Sequence, residues 1–371
     1  MSTTPARASY RPQLDGLRTL AVLLVMAHHW MPKSITRGIH WGGIGVDLFF
    51  CLSGFLITGI LLNVRSFVEN GEQGIGYTAR QFFMRRLVRI FPLYYLVLAL
   101  TLPWLEVSGA TQASLWTYTY NVYGGLTANM NGVVSHFWSL AVEEQFYLLW
   151  PWVILAIPRR RLEAVLWITV LVGPLTRLFL LQSDVGAEAV RTLTPACLDT
   201  LGLGSLMAWK VHRGGLERVA RGPLATGLFA LGLPLLVTGA WLQLGRRSGA
   251  ELETWRVMIT STRAPLLAWL VLRGALGFGG IAGRFLSCGP MVYLGRISYG
   301  LYVYHAFALF LPGSSLHPLL RFCVWGAATV AVASVSWHLF EARVNGLKEH
   351  FPYRKARRCG ADPPGPSRIA A

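Results

Sequence analysis

The chain has 371 residues, of which 53% are hydrophobic and only 14% charged, and its mean hydropathy is +0.45. A soluble domain carries roughly 25% charged residues, so this composition excludes an ordinary water-soluble enzyme and points to a chain whose solvent is lipid. The net charge of +17 invites a nucleic-acid reading, but basic residues in a polytopic protein mark its cytoplasmic loops, and no nucleic acid is expected among its partners.

Apolar stretches of about twenty residues predict membrane-spanning helices. Ten occur in chain order, near 17–36, 44–64, 90–108, 138–157, 162–182, 195–212, 224–243, 255–273, 291–312 and 318–340. With a cytoplasmic N-terminus, 24 of the 34 Lys and Arg residues fall on the inner side and seven on the outer side, while Arg177, Arg263 and Arg296 fall within spans. This bias predicts an all-α integral membrane protein of about ten transmembrane helices, N-in and C-in. Arg246 and Arg247 are its local exception. The loop 106–137 holds no Lys or Arg, as suits an exported loop beside a polar ligand. The first apolar run continues into charged sequence without a small-residue cleavage site, so it reads as a retained helix and not a signal peptide.

Residues 1–342 form one polytopic domain in this reading. Residues 343–371, with Lys348, Arg354, Lys355, Arg357 and Arg358 among Pro and Gly, read as a basic, disordered cytoplasmic tail lying on the anionic leaflet. The five cysteines show no metal-ligand spacing, and no metal or resident cofactor is expected. Membrane lipids are the surrounding partner.

Ionisable side chains are costly inside a bilayer and mark functional sites there. In the first span, LDGLRTLAVLLVMAHHW (14–30), Arg18 and His29 are eleven residues apart. Three helical turns place both on one face, roughly 16 Å apart along the axis, which is about the length of a pantetheine arm. Further buried charges come from Asp47 in GVDLFFCLSG, from Glu143 and Glu144 in HFWSLAVEEQFYLLWP (136–151), and from Arg296 in YLGRISYGLYVYH (293–305).

Together with GGIGVDLFFCLSGFLIT (42–58) and FFMRRLVRIFPLYYL (82–96), these blocks resemble in order the membrane acyltransferase 3 family. That family includes O-antigen, exopolysaccharide, Nod-factor and macrolide acyltransferases. The resemblance covers most of the chain and is strongest in the first 150 residues. It implies an enzyme of the bacterial cytoplasmic membrane that transfers an acyl group, acetyl foremost, from acyl-CoA to a hydroxyl of a carbohydrate or glycosylated acceptor. It places the family's catalytic basic-x10-His element on Arg18 and His29, and its Arg-x-x-Arg element on Arg86 and Arg89. Many relatives carry an attached extracytoplasmic esterase-like domain; none is read here, and the expectation is action without one or with a separate partner.

The residues support a mechanism beside the resemblance. A neutral His is a good general base near neutral pH, and Glu143, on an antiparallel span, lies at a depth comparable with His29 and so is expected to orient it. Arg85, Arg86 and Arg89 suit the phosphates of the CoA nucleotide. Asp47, Glu144, Tyr147, Arg296, Tyr299 and His305 are the expected substrate contacts. Plainer readings stand beside these: His28, His29 and Trp30 as an interfacial anchor, the two glutamates paired with Arg177 or Arg263, Arg85 as ordinary inside-positive charge, Asp47 as a helix cap, and Ser53 as packing. Glu341 is read as structural. The alternative functions are a proton-coupled transporter or lipid-linked-sugar permease, against which no inverted repeat is visible, and a membrane scaffold, which has no need of charges at matched depth.

Overall fold

The computed structural model describes residues 10–36, 39–130, 132–183, 185–244 and 250–354, so Arg246, Arg247 and the tail beyond 354 lie outside the described residues. The described residues contain helices and turns and no strand. The principal helices are α1 (Pro12–Trp30), α2 (Trp41–Glu69), α3 (Ile75–Thr101), α4 (Phe137–Ala156), α5 (Arg159–Leu181), α6 (Leu198–Gly214), α7 (Pro223–Leu244), α8 (Ala250–Leu276), α9 (Gly289–Arg296), α10 (Ser298–Tyr304) and α11 (Pro318–Ser336). Proline opens α1 and α11 at the first turn, where its missing N–H costs nothing, and Asp15 in the first turn of α1 suits the helix dipole. α2 stops at Asn70, followed by Gly71 at φ +70°, a left-handed stop that glycine adopts without strain.

Among the described residues, four helical segments are long and apolar enough to cross a membrane: Trp41–Glu69, Ile75–Trp104, Arg159–Leu181 and Pro318–His350. A fifth would pair Ser261–Leu276 with Gly280–Ser287 across an 80° bend. The ten predicted stretches are largely helical without being ten continuous spans: the first is interrupted between Trp30 and Lys33, and the ninth is interrupted too. It breaks at Ile297 between α9 and α10 and continues as a 3-10 turn, His305–Phe310.

α2 is the centre of the bundle: its apolar window is 67% buried, against 22% in α5 and 17% in the Pro318–His350 segment. It packs most extensively on α6 and α1, and small residues bring the backbones together. A Cβ on Gly54 would lie 2.0 Å from the Leu201 carbonyl oxygen, and one on Gly204 2.1 Å from that of Cys51. Ser205 Oγ donates to the Gly54 carbonyl at 3.2 Å.

Charges within the bundle are paired across four helices. Arg177 of α5 grips Asp199 of α6 through two bonds of 2.7 and 2.8 Å and also donates to Ser261 of α8, while Arg263 of α8 faces Asp47 of α2 at 3.5 Å. These two arginines therefore do not serve Glu143 and Glu144.

The start of the expected disordered tail is folded. After a π-helical turn at Trp337–Glu341, residues 342–354 return to the beginning of α3. There Arg85 donates to the carbonyls of Lys348 (2.8 Å) and Phe351 (3.1 Å), Gln73 donates to that of Tyr353 (2.8 Å), and Arg354 meets Glu72 at 3.2 Å. Burial raises the Tyr353 phenol above its ordinary range, against the opposing pull of the Arg86 and Arg85 guanidiniums, the latter 4.9 Å from the ring centre.

Candidate active site

A cavity of about 500 Å³ runs along α2 from Asn63 to Val46, a distance of roughly 25 Å at the helical rise. One wall is apolar, formed by Phe49, Phe50, Leu56, Ile57 and Ile60. The segments facing α2 contribute polar groups: Arg11, Asp15, Arg18, Arg86 and Arg89 at one end, Glu143, Glu144 and Tyr147 in the middle beside Ser53 of α2, and Ser139 and Tyr302 at the far end.

Arg18 and His29 both lie on α1, as their spacing requires, but only Arg18 lines the cavity, where it holds Asp15 at 3.2 Å. Arg86 and Arg89 also line it, are half-buried, and have no ion-pair partner among the described residues; Arg86 lies 5.7 Å from the ring centre of Tyr147. Arg85 is not with them. Its donors are spent on the C-terminal segment, a separation that one helical position produces by turning the side chain about 100°.

Glu143 does not bond to His29. Its Oε1 accepts from Ser53 Oγ at 2.7 Å, and that oxygen accepts in turn from Tyr147 at 2.9 Å. Ser53 is thus a polar element of the site and not simply packing; its neighbour Gly54 makes the close helix contact. Glu144 reaches the same cavity with a buried Oε1 that has no hydrogen-bond partner among the described residues. Asp47 is engaged by Arg263 and does not reach His29.

His29 is held by another histidine. Its Nδ1 lies 3.1 Å from Nε2 of His305 and 3.0 Å from the Val25 carbonyl. His305 is wholly buried, with the His136 ring 4.8 Å behind it, whereas His29 is exposed. The cavity stops one residue layer short of this pair, at Tyr302, whose hydroxyl meets Ser139 at 2.5 Å and donates to the His136 carbonyl at 3.0 Å. Tyr299 lines the cavity and donates to the Ile90 carbonyl at 2.8 Å. Arg296, read from the sequence as intramembrane, is exposed outside the cavity and donates to Tyr10 at 3.2 Å.

Ser139 and His136 escaped the sequence reading, and Ser53 entered it only as a packing residue. Part of the signal was present: Ser139, Glu143 and Tyr147 recur every four residues and so share one helical face. Among the described residues no group of His, Cys, Asp and Glu is arranged to hold a metal.

A cavity that joins unpaired arginines to a buried carboxylate cluster beside a histidine pair fits group transfer, and sequence comparison assigns the family. The pattern of the acyltransferase domain family matches residues 11–341. The chain belongs to that family. The chain is similar to YrhL of Bacillus subtilis, at 27% identity over 90% of this chain and 54% of that one. The peptidoglycan O-acetyltransferase OatA of Listeria monocytogenes is also 27% identical, over 94% and 58%. The O-acetyltransferase OatA of Staphylococcus aureus is 25% identical over 80% and 50%. The chain therefore spans about half the length of the curated acyltransferases it matches. No solved structure matches it.

Proposed function

We propose that this acyltransferase is a multi-pass enzyme of the bacterial cytoplasmic membrane, in the ten-span N-in arrangement, that moves an acetyl group from acetyl-CoA to a carbohydrate hydroxyl. The names of the relatives favour a peptidoglycan-type glycan as acceptor. The carrying observation is the cavity itself, which links unpaired Arg86 and Arg89 to Tyr302, the residue whose carbonyl supports the partner of His29. Arg86, Arg89 and Arg18 would take the CoA phosphates, since guanidinium forks match them in geometry and charge. The pantetheine arm would lie along α2, with its apolar parts on Phe49, Leu56 and Ile60. Its amides need partners in a passage shielded from water, and Glu143 and Tyr147 stand there to bond them.

His29 Nε2 removes the proton from the acceptor hydroxyl as the oxygen attacks the thioester carbonyl. The tetrahedral intermediate collapses with cleavage of the C–S bond, and the imidazolium returns its proton to the departing thiolate. The acetyl ester forms and free CoA is released, with His29 restored.

The test is the purified protein in nanodiscs with acetyl-CoA and soluble glycan acceptors, following CoA release and the mass of the acceptor. Acceptor-dependent release with a matching gain of acetyl, lost in His29→Ala, is the expected result. Folded protein that releases no CoA with any acceptor but moves a glycan across vesicles would replace this reading with transport.

A further inference from the structure

We propose that His305, expected from the sequence to contact substrate, is instead a positioning residue that, together with the Val25 carbonyl, fixes which nitrogen of His29 carries the proton. The inference rests on the reading of His29 as the base. His305 Nδ1 lies 2.6 Å from the carbonyl oxygen of Tyr302, an atom that only accepts, so Nδ1 carries the hydrogen. A neutral imidazole has one donor and one acceptor nitrogen, so Nε2 of His305 is an acceptor. The atom it faces, His29 Nδ1 at 3.1 Å, must then donate. The Val25 carbonyl, 3.0 Å from the same nitrogen, imposes the same choice. His29 therefore holds its proton on Nδ1 and keeps Nε2 bare, on a side chain that is exposed while His305 is sealed. A free histidine favours the opposite tautomer, with the proton on Nε2, which has no lone pair there to accept a proton. The hydrogen bond made by one ring nitrogen sets the role of the other.

The neighbours leave His305 no competing assignment. His136 packs against it edge-on at 4.8 Å but directs its Nε2 to the Val303 carbonyl at 3.2 Å. The Nδ1 of His136 has no hydrogen-bond partner among the described residues. When His29 gains a second proton, its Nδ1–H bond to His305 becomes charge-assisted and so stronger. Tyr302 connects this device to the cavity: its ring closes the far end, and its carbonyl holds His305 in register.

The experiment labels the histidines with ¹⁵N in the full-length protein in nanodiscs and assigns His29 by the signal lost in His29→Asn. The wild type is expected to show the Nδ1–H tautomer, and His305→Leu a mixture with Nε2–H. Turnover per folded molecule is expected to fall about 10–100-fold in His305→Leu, the loss that accompanies one charge-assisted hydrogen bond, with KM unchanged for donor and acceptor. His305→Gln is expected to restore turnover to within about threefold of wild type, because its carboxamide oxygen accepts near the position of Nε2. A wild-type His29 protonated on Nε2, a leucine variant with unaltered kcat, or a glutamine variant no better than leucine would each overturn the assignment. A wild type that transfers no acyl group would sink the proposed function, yet its tautomer would still be read directly from the spectrum.

Discussion

Gly54→Ala is a small change with a large structural consequence. The new methyl would sit 2.0 Å from the Leu201 carbonyl oxygen, where an ordinary contact begins near 3.4 Å, and the obstructing atom belongs to backbone. Because no side chain can rotate away, α2 and α6 must separate by roughly 1 Å or more, and overpacking of this kind costs typically 1–3 kcal/mol. For large domains each kcal/mol lowers Tm by about 2–4 °C, so a drop of roughly 2–12 °C is expected in detergent, followed by tryptophan fluorescence. The same shift displaces the adjacent Ser53, and with it Glu143 and Tyr147; a misplacement of 1 Å at a reacting site can cost about a hundredfold in rate. Gly227→Ala in α7 is the control, since nothing lies within 4 Å of its added carbon and it does not line the cavity. If Gly54→Ala matches Gly227→Ala in both Tm and turnover, the close α2–α6 contact is not what holds the site.

Further substitutions probe the rest of the site. His29→Ala should reduce acetyl transfer by about 10²–10⁴-fold, the range contributed by a general base, without changing Tm; a variant above a tenth of wild-type turnover would remove His29 from the chemistry. Arg86→Ala and Arg89→Ala should each raise KM for acetyl-CoA by about 10–100-fold, as loss of a charged hydrogen bond predicts, but leave KM for an acetylated pantetheine lacking phosphates unchanged. Equal effects on both donors would contradict phosphate binding. Arg85→Ala should instead increase proteolytic cleavage near residue 350, whose carbonyl neighbours it holds, with little change in KM. Asp199→Ala removes one half of a buried pair and should destabilise by about 3–5 kcal/mol, measured as loss of folded protein on heating; wild-type stability would mean that Arg177 finds another partner.

Positions along a helix axis were legible in the sequence, whereas directions across the bundle were not. The Arg18–His29 spacing, the helical stretches and the Arg86–Arg89 pair all follow from the rise and periodicity of one helix, and the structure places them accordingly. Glu143 and His29 share a depth on antiparallel helices, but depth alone says nothing of which face each helix turns inward. Ser53 claims Glu143, Arg263 claims Asp47, and His305 takes the place expected of the carboxylate. Arg296 was read as intramembrane from its apolar neighbours, yet the break at Ile297 turns it outward. The segment 342–354 has the composition of a tail, and it is ordered by donors 260 or more residues away, at Arg85 and Gln73.

By itself the sequence determined that this is a helical membrane chain with ionisable groups spaced along the first helix, because apolar run length and helical periodicity are local properties. The tertiary structure decided which of those groups meet. Helix rotation and lateral order depend on contacts such as Gly54 against Leu201 and Gly204 against Cys51, made between residues about 150 positions apart in the chain, and no local pattern encodes such a meeting.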